Sequence, residues 1–297
     1  GTGSGLGSFA LQAVHDAYAG VPIVASCVWP FEGGEVSVQS YNAALSLATA
    51  YDTADMILLC ENERYMEICQ LALRERHPTL DVVNGAICES LIHAMLPCRS
   101  PVSLGSLQSP LRWLATQLCA HPAYRLGIVR ALPQVARGAE AFTSDSWVAL
   151  QRRMALLCGA GRIVDRLGSS TSSGSSSPAH GGGGQLHFLG VAAFLRGSGA
   201  TDVQIDAMHR LTYWENSLEP LRVYADPHQV RRMERSMGVV SVCQTVLPAI
   251  QATTARATQM LKSAAYLHQY ERFGVGREEM SEVLLTMSQI SHDYMKL

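Results

Sequence analysis

The opening residues, Gly1-Thr2-Gly3-Ser4-Gly5-Leu6-Gly7, constrain this chain more than any other segment. Glycines alternating with small residues let successive backbone N–H groups converge on one point, and a helix starting directly behind them adds partial positive charge. Such a turn is a ready seat for a phosphate. Taken alone, a Gly/Ser-rich start reads first as a flexible linker. The next residues argue otherwise: Phe9, Leu11, Val14 and Tyr18 recur at near-helical spacing, Gly20 is a stop signal, and the run 21–29 reads as a strand. A phosphate loop ordinarily follows a strand and none precedes this one. The expectation is a chain that begins inside a nucleotide-binding domain. Neither the Gly-x-Gly-x-x-Gly dinucleotide fingerprint nor the Gly-Lys-Ser/Thr of a P-loop is present.

With 297 residues, 47% hydrophobic and 16% charged, the chain can bury a sizeable core under a lightly charged surface. A formal net charge of -2 argues against a dedicated nucleic-acid binder. No apolar run is long enough to span a bilayer, so neither nucleic acid nor membrane is an expected partner. The eight cysteines are scattered, mostly inside apolar runs and without a Cys-x-x-Cys pair, which predicts reduced core thiols. The ten histidines form no ligand pair, and no metal site follows from them.

Up to about residue 100 the pattern alternates: strand 21–29, helix 38–51, strand 55–60, helix 62–74, helix 81–95. This is an α/β order, predicting a parallel sheet covered by helices. A breaker cluster at 97–101 ends it. A helix is expected over 110–120, strands over 124–132 and 186–196, and a helix over 144–167. The stretch 168–184 has almost no apolar residue and is expected to be a disordered surface loop. Two long closing helices are expected over 236–270 and 277–294, joined at Phe273-Gly274-Val275.

Five ordered motifs carry a family resemblance. Gly1-Thr2-Gly3-Ser4-Gly5 is similar to the end of the tubulin signature Gly-Gly-Gly-Thr-Gly-Ser-Gly, and Tyr41-Asn42-Ala43-Ala44-Leu45-Ser46 to its Tyr-Asn-x-x-Leu-Ser. Glu61-Asn62-Glu63-Arg64-Tyr65 through Cys69 resembles the corner Asp-Asn-Glu-Ala-Leu-Tyr-Asp-Ile-Cys. Phe194-Leu195-Arg196-Gly197 resembles Phe-Arg-Gly, and Tyr266-Leu267-His268-Gln269-Tyr270 resembles Leu-His-Trp-Tyr. Trp29-Pro30, the segment 34–42 and the end at Tyr294-Met295-Lys296-Leu297 resemble the delta class of tubulins, with the epsilon class matching at fewer residues.

The resemblance implies a tubulin-like α/β fold: a partial, parallel-sheet GTP-binding domain over 1–100, a mixed α/β intermediate domain over 101–235, and a C-terminal helical hairpin over 236–297. It implies a GTP site with Gly1, Thr2 and Gly3 at the phosphates, Glu35 near the ribose, and Asn62 and Asn84 on the guanine. An amide suits a base edge that presents both a donor and an acceptor. Mg2+ would accompany the nucleotide, its ligands lying largely in an upstream segment. Leu80 stands where the family usually stacks a Tyr on the base. A catalytic Glu of alpha-tubulin, which acts on a neighbour's nucleotide, corresponds here to Trp113, with Gln108 and Pro110 replacing an Asn and an Asp. An indole cannot polarise water as a carboxylate does, so GTP binding is expected, with turnover weak or dependent on a partner. The implied role is a structural protein of microtubules, cytoplasmic and cytoskeletal, at centriole and basal-body triplets and in ciliogenesis. Its implied partners are other tubulins, at longitudinal or lateral interfaces, and centriolar proteins. The competing class is a self-assembling GTPase like the bacterial division relative, which needs acidic residues that 107–114 do not offer. A nucleotide-free adaptor is a third reading.

Overall fold

The computed structural model describes residues 3–34, 36–99, 107–108, 110–165, 188–203 and 221–297. The loop expected over 168–184 lies outside the described residues. Helix α1 (Ser4–Ala17) rises directly from the glycines, and Gly20, at φ +79°, makes the left-handed turn that its lack of a side chain permits on the way to strand β1 (Val24–Trp29). Helix α2 (Gln39–Thr53) returns to strand β2 (Met56–Glu61), which runs straight into α3 (Asn62–Glu67). A π-helical turn, Ile68–Ala72, extends α3, and α4 (Leu80–Met95) follows. After the short strands β3 (Cys98–Arg99) and β4 (Leu107–Gln108), the helix expected over 110–120 divides into α5 (Pro110–Trp113) and a π-helical turn, Leu114–Leu118. Strand β5 (Leu126–Leu132) and helix α6 (Trp147–Gly159) come next. Helix α6 is shorter than the expected 144–167 because Ser146 caps its start, its Oγ accepting from the Ala149 N–H.

Strands β6 (Phe188–Gly197), β7 (Leu221–Asp226) and β8 (Arg235–Cys243) complete one mixed sheet in the order β1-β2-β5-β8-β6-β7-β3-β4. The first three strands in that order are parallel. Strand β8 is inserted antiparallel between β5 and β6, and β6 pairs in parallel with β7. The chain closes with α7 (Leu247–Lys262), the short α8 (Leu267–Glu271) and α9 (Arg277–Met295); α7 and α9 pack on each other and on α2. The tubulin-like α/β layout, with parallel strands, a mixed half and a closing helical pair, is the one the motifs implied.

One expected element is corrected. The helix predicted over 236–270 begins only at Leu247, and its first residues are the central strand β8. Val240 and Val242 face the main core under α2, α4 and α7, while Met237, Val239 and Cys243 face a second cluster against α6. Burial on both faces removes the polar alternation that marks a strand, so the run merged with the helical pattern behind it. Gly238 lets α4 approach closely: a Cβ there would lie 2.4 Å from the His93 Cβ. The thiols follow expectation, with six of the eight buried, Cys27 half-buried and Cys88 exposed. Among the described residues no helix is long and apolar enough to cross a membrane.

Candidate functional site

Three parallel strands point their carboxyl ends the same way, and open α/β sheets place ligands at that edge. The start of α1 lies there. Gly3, Ser4 and Gly7 share a groove of about 510 Å³ with Trp29 and Pro30 at the end of β1 and with Asn42 of α2. A Cβ at Gly3, Gly5 or Gly7 would meet nothing within 4 Å, so small residues leave this helix start uncovered. Among the described residues the groove lining holds no Asp, Glu, Lys or Arg. The backbone N–H groups at the helix start and the helix dipole supply attraction for an anion there. A phosphate fits this site. Among the described residues the lining offers Ser hydroxyls towards Mg2+.

Of the six residues predicted from sequence, Gly1, Thr2 and Glu35 lie outside the described residues. Asn62, half-buried, opens α3 immediately after Glu61. Since Glu61 pairs in register with Trp29, Asn62 leaves the sheet beside the groove that holds Gly3. Asn84 lies one turn beyond Leu80 on α4, and both are exposed, so they share an outward face. Helices α3 and α4 pack on each other, bringing the elements that carry the two Asn residues side by side. Neither Asn62 nor Asn84 is among the residues lining the Gly3 groove; the amide that lines it is Asn42.

Charged residues that sequence reasoning passed over cluster behind Asn62. Arg64 Nε lies 2.8 Å from Glu61 Oε1, while its Nη1 donates to Gly161 O at 3.1 Å and its Nη2 to Thr245 O at 3.0 Å. Burial raises the Glu61 carboxyl pKa above the ordinary carboxylate value, and the Arg64 guanidinium pulls it back. A cavity of about 210 Å³ beside this pair is lined by Trp29, Glu61, Arg64 and, from α7, Arg256. Arg256 donates to Glu32 O and lies 3.8 Å from the Glu32 carboxylate, tying α7 to the loop after β1. One signal was readable: Arg64 stands where the family corner has Ala. The Glu32–Arg256 contact had none.

On α5, Trp113 is half-buried against the main core. Its ring meets Tyr224 edge-on at 6.2 Å, Arg222 lies 5.8 Å from it, and Tyr224 stacks on Phe194 at 5.3 Å. The indole is held within an aromatic and cationic layer.

Motifs far apart in the chain meet in space. Tyr270 Oη donates to Asn42 Oδ1 at 2.7 Å, and its ring packs edge-on against Tyr41. Arg196 donates to His93 O in the last turn of α4 and to Leu96 O just beyond it. Comparison with known proteins agrees. Residues 1–70 match the Tubulin/FtsZ family GTPase domain. The similarity extends well past that segment: the chain is 27% identical to the human tubulin delta chain over 309 residues, covering 100% of this chain and 68% of the human one. The mouse delta chain is 25% identical, covering 99% and 67%. The beta-1 chain of Glycine max is 24% identical, covering 99% of this chain and 63% of its own length. The resemblance to tubulins, and among them to delta chains, is borne out, and the chain is a tubulin-like cytoskeletal protein.

Proposed function

We propose that this chain binds GTP as a structural element of the microtubule system and acts as delta-type tubulins are expected to act, at centriole and basal-body triplets and in ciliogenesis. The observation that carries the nucleotide reading is the uncovered, glycine-lined start of α1 at the carboxyl edge of the parallel strands. There Gly3, with Gly1 and Thr2 before it, would receive the phosphates through backbone N–H groups. Asn62 and Asn84 would read the base edge, and Glu35 would accept from the ribose hydroxyls. Mg2+ would accompany the nucleotide. Residues 1–100 then serve as the nucleotide unit, 101–235 as the intermediate unit and 236–297 as the closing pair, entered through β8.

The partners in this reading are other tubulins at longitudinal or lateral interfaces, together with centriolar proteins. Trp113, packed against Tyr224 and Arg222, offers no carboxylate to activate water at a neighbour's nucleotide. Binding rather than turnover carries the function. Imaging the tagged protein in a ciliated or flagellated cell tests the role. Centriolar or basal-body signal and loss of triplets on deletion are expected; uniform cytoplasmic signal with triplet number unchanged would overturn it.

A further inference from the structure

Arg64, in the corner between β2 and α3, and Arg130, in β5, grip the same pair of distant elements. Arg64 uses all three of its guanidinium nitrogens: Nε on Glu61, Nη1 on Gly161 O in the turn after α6, and Nη2 on Thr245 O in the turn before α7. Arg130, 1% exposed in β5, donates from Nε to Arg162 O at 2.7 Å, from Nη1 to Ser241 Oγ at 2.8 Å and from Nη2 to Thr245 Oγ1 at 3.3 Å. Adjacent carbonyls of one turn, and two atoms of one threonine, are thus shared between the arginines. Gln134 adds a third grip, donating to Ile163 O at 2.5 Å.

A planar fork with fixed N–H directions sets orientation in a way that a flexible ammonium does not. Arg64 belongs to the first turn of α3, two residues after Asn62, so fixing Arg64 fixes the turn that aims the Asn62 amide. An amide that reads a base must be held to within a fraction of an ångström, and that precision comes from the groups behind it.

We propose that Arg64 is a positioning residue for guanine recognition, setting the Asn62 amide through its clamp on Glu61, Gly161 and Thr245. This rests on the GTP reading of the site. It requires that Arg64 govern selectivity for the base and leave phosphate binding alone.

The test measures binding of GTP, ATP and inorganic tripolyphosphate to the wild-type chain and to Arg64→Ala, Arg64→Lys and Glu61→Gln. The GTP-over-ATP preference is expected to fall about tenfold in Arg64→Ala, the loss of one well-aimed hydrogen bond. Arg64→Lys keeps the charge but lacks the fork, and should lose nearly as much. Glu61→Gln keeps both carbonyl contacts and should lose less. Tripolyphosphate affinity should stay the same in all three, which general destabilisation would not produce. Arg64→Lys and Glu61→Gln carry the test if Arg64→Ala does not fold. A wild-type chain without preference for GTP over ATP would overturn the GTP reading. A wild-type preference retained in the Arg64 variants, or tripolyphosphate binding lost in parallel, would overturn the positioning role alone.

Discussion

Acidification should unfold this protein through His93 in particular. The imidazole is 2% exposed at the end of α4, packed against Gly238, and its Nδ1 has no hydrogen-bond partner among the described residues. Burial, helped by the Arg196 guanidinium, lowers its pKa from 6.5 to about 3. The unfolded chain takes up a proton near pH 6.5 that the folded chain refuses, so stability falls as pH drops below 6.5 and the loss is complete only near pH 3. Charging the ring in place would cost roughly 5 kcal/mol, and between about pH 7.5 and 4.5 this group alone should remove about 3 kcal/mol. That is a large share of the roughly 5–15 kcal/mol typical of a folded protein. Urea unfolding followed by circular dichroism across that range measures it, with His93→Leu as the reference because carboxylates titrate in both proteins. The wild-type profile should fall about 3 kcal/mol further than the variant profile. Parallel profiles would show that His93 can be charged where it sits, and would refute the reasoning.

Other substitutions probe the packing and the partner face. Gly197→Ala should prevent stable folding, measured by the melting temperature, because Gly197 sits at φ +115° and a Cβ would lie 2.1 Å from Glu234 O. Tyr294→Phe removes a hydroxyl that accepts from Leu126 N at 2.7 Å and donates to Leu126 O at 3.1 Å. It should cost about 1–3 kcal/mol in urea unfolding. Ser146→Ala, losing the cap of α6, should cost about 1 kcal/mol by the same assay. A longitudinal tubulin partner should hydrolyse GTP no faster with this protein docked than without it; strong acceleration that disappears in Trp113→Ala would contradict that.

Much of the nucleotide half was legible because its elements obey local rules. The apolar spacing of α2 and the short buried run of β2 each sit within two residues of the expected bounds, whereas α1 begins at Ser4 and takes Gly5 and Gly7 into its first turn. What could not be read depends on distant partners. Strand β8 looks helical until β5 and β6 are known to flank it, since only then does burial of both faces explain its continuous apolar run. The π-helical turns after α3 and α5 keep near-helical side-chain spacing and leave no mark on the apolar pattern. The site divides along the same line. Gly3 and Asn62 announce themselves through motifs, but the purpose of Arg64 is written in Thr245, 181 residues away.

If the uncovered start of α1 and the Asn62 corner hold a guanine nucleotide, the purified protein should carry one. Mass spectrometry of the nucleotide released on denaturing it is the most direct measurement. A guanine nucleotide in stoichiometric amount, reduced by replacing Asn62 with Ala, is the predicted result. Protein that is folded but carries no nucleotide, or carries adenine nucleotides instead, would contradict it.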